Sequence, residues 1–193
     1  MKQKIYSLIN KYFTFFVCYS IAGWLYEELL WLFEEHQVVN RGFCLGPWLP
    51  IYGFGGLVLY RTVYRFAISH SPYKMRRLKP VAVFLMISAG AAFVELISTY
   101  AMQAVGLDFR TLWSYADFAI NFEERIALLP SLKFGILGCV IIYFAQDKIR
   151  RFAYSKKKHI VGARHIMCLC FVLDVVLHIA AGSNYTGNVL FVL

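Results

Sequence analysis

Five ionisable residues stand inside apolar stretches long enough to cross a membrane: Glu27, Glu28, Glu95, Lys133 and Asp174. An ionisable group near the centre of hydrocarbon costs between about 2.5 and 17 kcal/mol, depending on how it is measured, so such groups face a bundle interior, a partner or a watery cavity. Carboxylates so placed are suited to binding a cationic or hydroxylated ligand, or to general-base chemistry. They are equally suited to neutralising a nearby cation, because an unpaired charge at that depth is costlier still.

Spacing shapes these options. Ser20, Trp24, Glu27 and Trp31 recur at helical intervals and share one face, setting a carboxylate between two indole rings. That face fits a cationic or hydroxylated ligand, and it also fits an ion pair with Arg41 or Lys133. Glu28, one position round the helix, is expected at the membrane interface. Ser88, Ala92, Glu95 and Thr99 form a second stripe, whose small residues let a neighbouring helix pack closely and turn Glu95 into the bundle, where Lys133 could pair with it. Asp174 and His178 are four residues apart, as a proton relay or a hydrogen-bonded pair would be.

Two polar segments lie between the spans. In Asn40-Arg41-Gly42-Phe43-Cys44-Leu45-Gly46-Pro47-Trp48-Leu49-Pro50-Ile51-Tyr52-Gly53, the glycines permit close backbone approach and the prolines oppose a regular helix start. Non-helical backbone near membrane depth persists only where protein or a water-filled cavity satisfies it, so the segment reads as the lining of a site, or else as an interfacial turn anchored by Trp48. The aromatic and charged segment 113–125 is too short and too polar to cross and reads as an interfacial or re-entrant loop.

The elements that position these residues are five helices expected at about 12–33, 48–67, 80–105, 126–145 and 161–181. The fold class is therefore all-α, a polytopic transmembrane helix bundle of about five spans forming a single membrane domain over 1–193. Hydrophobic residues make up 60% of the 193 and mean hydropathy is +0.57, which leaves no room for a sizeable soluble domain and excludes a separate catalytic head. Lys2, Lys4 and Lys11 precede an apolar run too long for a signal peptide, so it reads as the first span. The five cysteines show no zinc-like spacing, and the phosphate-loop, G-x-S-x-G and H-E-x-x-H patterns are absent. No metal or cofactor is implied.

The formal charge of +9 lies in short basic blocks between apolar runs, which is a signature of topology and not of nucleic-acid binding. Sixteen Lys and Arg residues fall on one side, and only Arg41, Arg110, Arg125 and Lys133 on the other. The N-terminus is thus expected in the cytoplasm and the loops 34–47 and 106–125 outside. Glu27 and Glu95 then stand roughly 22 Å up from the cytoplasmic ends of their helices, at 1.5 Å per residue. The candidate binding residues are Trp24, Glu27, Arg41, Glu95, Asn121, Arg125 and Lys133.

Gly23-Trp24 with Glu27, the run from Asn40 through Gly46-Pro47 to Gly53, Glu95 with Ser98 and Thr99, Trp113 to Tyr115, Asn121 with Arg125, and Ser131-Leu132 with Phe134-Gly135 together resemble the CmpB-type bacterial ABC transporter permeases, or "ABC transporter type IV" membrane proteins. The strings that carry the resemblance end near Gly138. The chain departs from the family pattern at Ser114, where an acidic residue is usual, and at Glu124, where glycine is usual. The resemblance implies a multi-pass protein of the bacterial plasma membrane.

Three functions fit. One is a transport or substrate-capture subunit that binds a polar or anionic small molecule and works with a separate ATPase or a second copy. Another is an enzyme acting on a lipid or lipid-linked substrate at the outer leaflet, with Arg41 and Arg125 on a phosphate and Glu27 or Glu95 as base. The third is a structural or regulatory subunit. The topology is testable: in a variant free of native cysteines, Asp117→Cys is expected to react with a membrane-impermeant maleimide on intact cells, and Ser155→Cys only after permeabilisation. The reverse pattern would refute the orientation.

Overall fold

Backbone amides in hydrocarbon find no water to bond, so apolar runs satisfy them internally as helices. In the computed structural model, which describes residues 2–40, 46–70, 73–111, 113–181 and 188–192, the chain is 81% helical and all-α. The elements are α1 (Lys2–Glu35), β1 (Gln37–Asn40), α2 (Pro50–Arg61), α3 (Val63–Ile68), α4 (Tyr73–Ala104), a 3-10 turn (Phe109–Thr111), β2 (Asn121–Phe122) and β3 (Ile126–Ala127). They continue with α5 (Leu128–Val140), a π-helical turn (Ile141–Ala145), α6 (Gln146–Tyr154), α7 (Lys158–Ala181) and β4 (Asn188–Val192).

Among the described residues, three helices are long and apolar enough to cross a membrane: Arg76–Ala104, Leu128–Tyr154 and Lys158–Ala180. At 1.5 Å per residue they measure about 43, 40 and 35 Å, against roughly 30 Å of hydrocarbon. Leu85, Phe93 and Ile97 on α4, and Leu169, Leu173 and Val176 on α7, remain exposed, an apolar surface that lipid favours and water does not. The window 12–33 lies inside α1, which is 34 residues long but carries Glu27 and Glu28 and is not one of the three.

The window 48–67 departs from expectation. Instead of one continuous helix it forms α2 and α3, which meet at Thr62 (φ −104°, ψ −73°). Glycines at 53, 55 and 56 weaken α2, since each lowers helix propensity by about 1 kcal/mol relative to alanine. Lys79 holds the far end of α3: its Nζ donates to the Phe66 carbonyl at 3.2 Å, to the Ser69 carbonyl and to Ser69 Oγ at 3.1 Å. The third helix begins before Pro80, which α4 accommodates within its length.

The chain divides into two compact units, Met1–Val58 with Gln146–Leu193, and Leu59–Ala145. In the first, α1 packs on α6 and α7 around Phe16, Val17, Trp48, Cys168 and Phe171. Phe16 stacks on Phe13 with centroids 6.1 Å apart, and the rings of Phe16 and Trp48 meet Phe171 edge-on at 5.5 and 5.7 Å. Arg164 Nη1 donates to the Ala153 carbonyl at 2.5 Å and so closes the end of α6. β1 and β4 pair antiparallel, Gln37 opposite Val192 and Asn40 opposite Asn188, with an irregularity between Val38 and Val39. Helical reasoning did not anticipate that pairing, although β-branched residues at Val38, Val39, Val189 and Val192 favour it.

In the second unit, Val63, Tyr64, Val83, Ile87 and Ile142 form the core, and α4 lies against α5. The small-residue stripe on α4 does admit a neighbour. Ser88 and Thr99 are buried, and a Cβ on Gly138 of α5 would stand 2.6 Å from Ile87 Cγ2. Overpacking of this kind costs about 1–3 kcal/mol, so Gly138→Val is expected to lose that much stability in detergent unfolding. Gly90→Ala, with nothing within 4 Å of the added carbon among the described residues, should be neutral or stabilising by up to about 1 kcal/mol. Equal losses in the two variants would contradict the packing.

Candidate functional site

In the first unit the candidate carboxylates are engaged by aromatic donors. The missing side chain at Gly23 lets Tyr52 of α2 lie against α1, and the Tyr52 hydroxyl donates to Glu27 Oε1. Tyr26 meets Tyr52 edge-on at 6.3 Å, and Trp24 is half-buried on the same helix. Glu28, expected at the membrane interface, is 9% exposed within this unit.

Asp174 has a definite task. Its Oδ2 accepts the Trp48 indole N–H at 2.6 Å and the Gly46 amide at 2.8 Å. Trp48 N–H then donates to the Gly46 carbonyl at 2.9 Å and Leu49 N–H to the Ser20 carbonyl of α1 at 3.0 Å, while Pro47 and Pro50 have no N–H to place. Every amide of 46–49 is therefore bonded within the protein. The stretch 46–49 is a turn whose amides are anchored on Asp174, on the Gly46 carbonyl and on α1. Arg41 and the rest of 41–45 lie outside the described residues.

The second unit gathers the other candidates around a hairpin. β2 and β3 pair Asn121 with Ala127 and Phe122 with Ile126. Arg125 N–H donates to the Phe122 carbonyl at 3.0 Å, closing a turn in which Glu123 (φ 50°) and Glu124 (φ 60°) both have the positive φ of a type I′ turn. Non-glycine residues pay roughly 1–2 kcal/mol each for that conformation. Asn121 is spent on the loop itself, with Nδ2 on the Phe118 carbonyl at 2.7 Å and Oδ1 accepting the Glu124 amide at 3.2 Å. Tyr115 ties the loop to α4: its hydroxyl donates to Glu95 Oε1 at 2.6 Å and its amide to the Glu124 carbonyl at 2.9 Å.

Arg125 is the centre of this arrangement. It is 8% exposed, its guanidinium flanked by the rings of Tyr100 and Phe109 with centroids at 4.3 and 4.6 Å. Nε donates to Glu123 Oε2 at 3.1 Å and Nη2 to Gln103 Oε1 at 2.6 Å; Nη1 is buried without a hydrogen-bond partner among the described residues. Arg110 Nε donates to Glu124 Oε2 at 2.8 Å, a bond that raises its already high pKa and keeps it charged. A cavity of about 380 Å³ is walled by Gln103, Leu107, Asp108, Phe109, Arg110 and Arg125. Gln103, Asp108, Phe109 and Arg110 were not among the residues selected from sequence, because nothing in their spacing marks them until the loop folds back on α4. Lys133 is half-buried on α5, and Asn121 does not line the cavity.

A sequence profile of the family described as "Putative ABC-transporter type IV" matches residues 14–179. The chain belongs to this family. No curated protein and no solved structure matches it. The family match runs well past Gly138, where the recognisable strings ended, and so takes in Asp174 and His178 as well as both clusters. In this ABC-transporter type IV member, Glu124 occupies a positive-φ position for which glycine is the natural residue.

Glu124→Gly and Glu124→Ala both remove the partly exposed pair with Arg110, worth about 0–1 kcal/mol. Only glycine relieves the backbone. The glycine variant is therefore expected to exceed the alanine variant by about 1 kcal/mol in thermal or denaturant unfolding, and equal stabilities would remove the turn assignment.

Proposed function

We propose that the chain is the membrane-embedded substrate-capture subunit of an ABC-type transporter, a five-span protein of the plasma membrane with its N-terminus in the cytoplasm. Its polar pocket opens outward, and a separate ATPase supplies the energy. Family membership and the membrane-length helices support the general class. The observation that carries the specific reading is the cavity at the end of α4, walled in part by a buried guanidinium whose Nη1 has no hydrogen-bond partner among the described residues. A buried donor without an acceptor costs about 1–3 kcal/mol, which a bound oxygen recovers.

On this reading Arg125 touches the substrate, with Gln103 and Arg110 at the cavity wall. Glu95 is a positioning residue that acts through Tyr115, and Asn121 shapes the hairpin. Trp24, Glu27, Arg41 and Lys133 are left as candidates for contacts later in transit.

A strain lacking the chain should show a solute-specific uptake defect that the wild-type protein restores. Loss of a charge-assisted hydrogen bond of about 1.5–3 kcal/mol corresponds to roughly 10- to 100-fold, so Arg125→Gln should lower uptake by at least about tenfold with folded protein still in the membrane. Glu95→Gln still offers the Tyr115 hydroxyl an acceptor and should lose less. Copurification with an ATPase supports the reading. Normal uptake with an altered lipid or envelope polymer would overturn it in favour of lipid chemistry.

A further inference from the structure

We propose that the turn between α6 and α7 docks an anionic phospholipid, with the headgroup on Lys156, Lys157 and Lys158 and the acyl chains along the outer face of α7. The site lies wholly in the first unit, apart from the Arg125 cavity, and does not depend on the transport reading.

The turn stands where a headgroup would be. It joins two helices of membrane-crossing length, Leu128–Tyr154 and Lys158–Ala180. The second measures about 35 Å against roughly 30 Å of hydrocarbon, so burying its apolar length carries its first turn to the polar layer. Hydrogen bonds hold the backbone there. Arg164 engages the Ala153 carbonyl, Ser155 N–H donates to the Phe152 carbonyl at 3.3 Å, and Lys157 N–H donates to Ser155 Oγ at 3.3 Å.

The charge at this end has one sign. Lys148, Arg150, Arg151, Lys156, Lys157 and Lys158 are all exposed, and the one carboxylate in 146–158, Asp147, stands 3.4 Å from Arg150. Six cations against one carboxylate leave +5 in that stretch. Lys11 of α1, over the Tyr154 ring at 4.6 Å, adds to it. Glu27 and Asp174 are 16 residues along their helices from Lys11 and Lys158, roughly 24 Å away, too far to offset it. Each Lys or Arg near an anionic leaflet shifts the partition by about fivefold.

The same helix supplies the apolar half of the site. Arg164, Cys168, Phe171 and His178 form the buried face of α7. Ala163, Ile166, Cys170, Leu173 and Leu177 recur at helical intervals on the opposite side and are exposed, Ile166 to 64%. That stripe runs back to His159, beside the three lysines. A lipid lying along it brings its phosphate to the basic turn. An acidic protein segment would meet the cations and leave the stripe uncovered, so the juxtaposition favours lipid.

The test places a reporter on the stripe. Full-length protein carrying Ile166→Trp is reconstituted in phosphatidylcholine vesicles, into which brominated phosphatidylglycerol or brominated phosphatidylcholine is titrated. Quenching of the added indole, after subtraction of the parent protein's fluorescence, reads which lipid occupies the stripe. Phosphatidylglycerol is expected to be preferred by at least about fivefold. Lys156→Gln/Lys157→Gln/Lys158→Gln, all exposed, should reduce the preference below about twofold. Salt at about 1 M, where the screening length is about 3 Å, should do the same without altering the protein. Arg65→Gln/Arg76→Gln/Arg77→Gln removes as much charge from exposed positions in the second unit and should leave the preference intact. Equal quenching by the two lipids would overturn the proposal and leave the turn to an acidic protein partner. An equal loss in the two triple variants, or a preference indifferent to salt, would overturn it as well.

Discussion

A carboxylate placed in a membrane-length helix must be given a hydrogen-bond donor, and the residue type that gives it determines which elements become neighbours. Here the donors are aromatic. Tyr52 serves Glu27, Tyr115 serves Glu95 and Trp48 serves Asp174, while Tyr19 donates to the buried amide of Gln146 at 2.7 Å. An aromatic donor brings a large apolar body with its single polar atom, so each bond is made inside a packed contact. Apolar side chains gain little by leaving lipid for one another, and without such bonds helix association rests on shape and small residues. The four bonds therefore select pairings within each unit: α1 with α2, α4 with its following loop, α7 with the turn before α2, and α1 with α6.

This selection explains why the loop after α4 is ordered although it is short in regular structure. Tyr115 joins it to the helix through Glu95 and to the hairpin through the Glu124 carbonyl, and Trp113 adds a bond from its indole to the Arg125 carbonyl at 3.3 Å. Held at these points, the hairpin tolerates positive φ at two glutamates. The reward is local: the same turn that strains Glu123 and Glu124 presents their carboxylates to Arg125 and Arg110. Strain and charge pairing are two consequences of one backbone geometry.

Much of the helical framework was legible in the sequence, because the bilayer leaves apolar runs few alternatives to helix. The windows over α4, α5 and α7 were placed to within a few residues at most ends, and the stripe of Ser88, Ala92, Glu95 and Thr99, of which Ser88 and Thr99 are buried, was visible from spacing alone. What escaped was long-range or masked by composition. Val38 and Val39 lie some 150 residues from their partners in β4, a pairing no local pattern encodes. Glu123 and Glu124 hide a turn that Asn-Gly would have announced. Asp174 seemed a matter for His178, four residues away, but nothing local announced the hydrogen bonds it accepts from the distant turn at Gly46 and Trp48.

These differences move the weight of the site. Glu27, Glu95 and Asp174 were attractive because charge at membrane depth demands a purpose, and a purpose is visible for each in the bond it makes to an aromatic donor. Arg125 differs in kind. Glu123, Gln103 and the rings of Tyr100 and Phe109 orient the guanidinium without exhausting it: Nη1 has no hydrogen-bond partner among the described residues, and Arg125 helps wall a cavity of about 380 Å³. A group fixed by its neighbours loses little further freedom when a ligand arrives, so its remaining bond is available at low entropic cost. Glu27, Glu95 and Asp174 each tie a neighbouring segment to a helix through an aromatic donor, and Glu95 steadies the loop that carries Arg125.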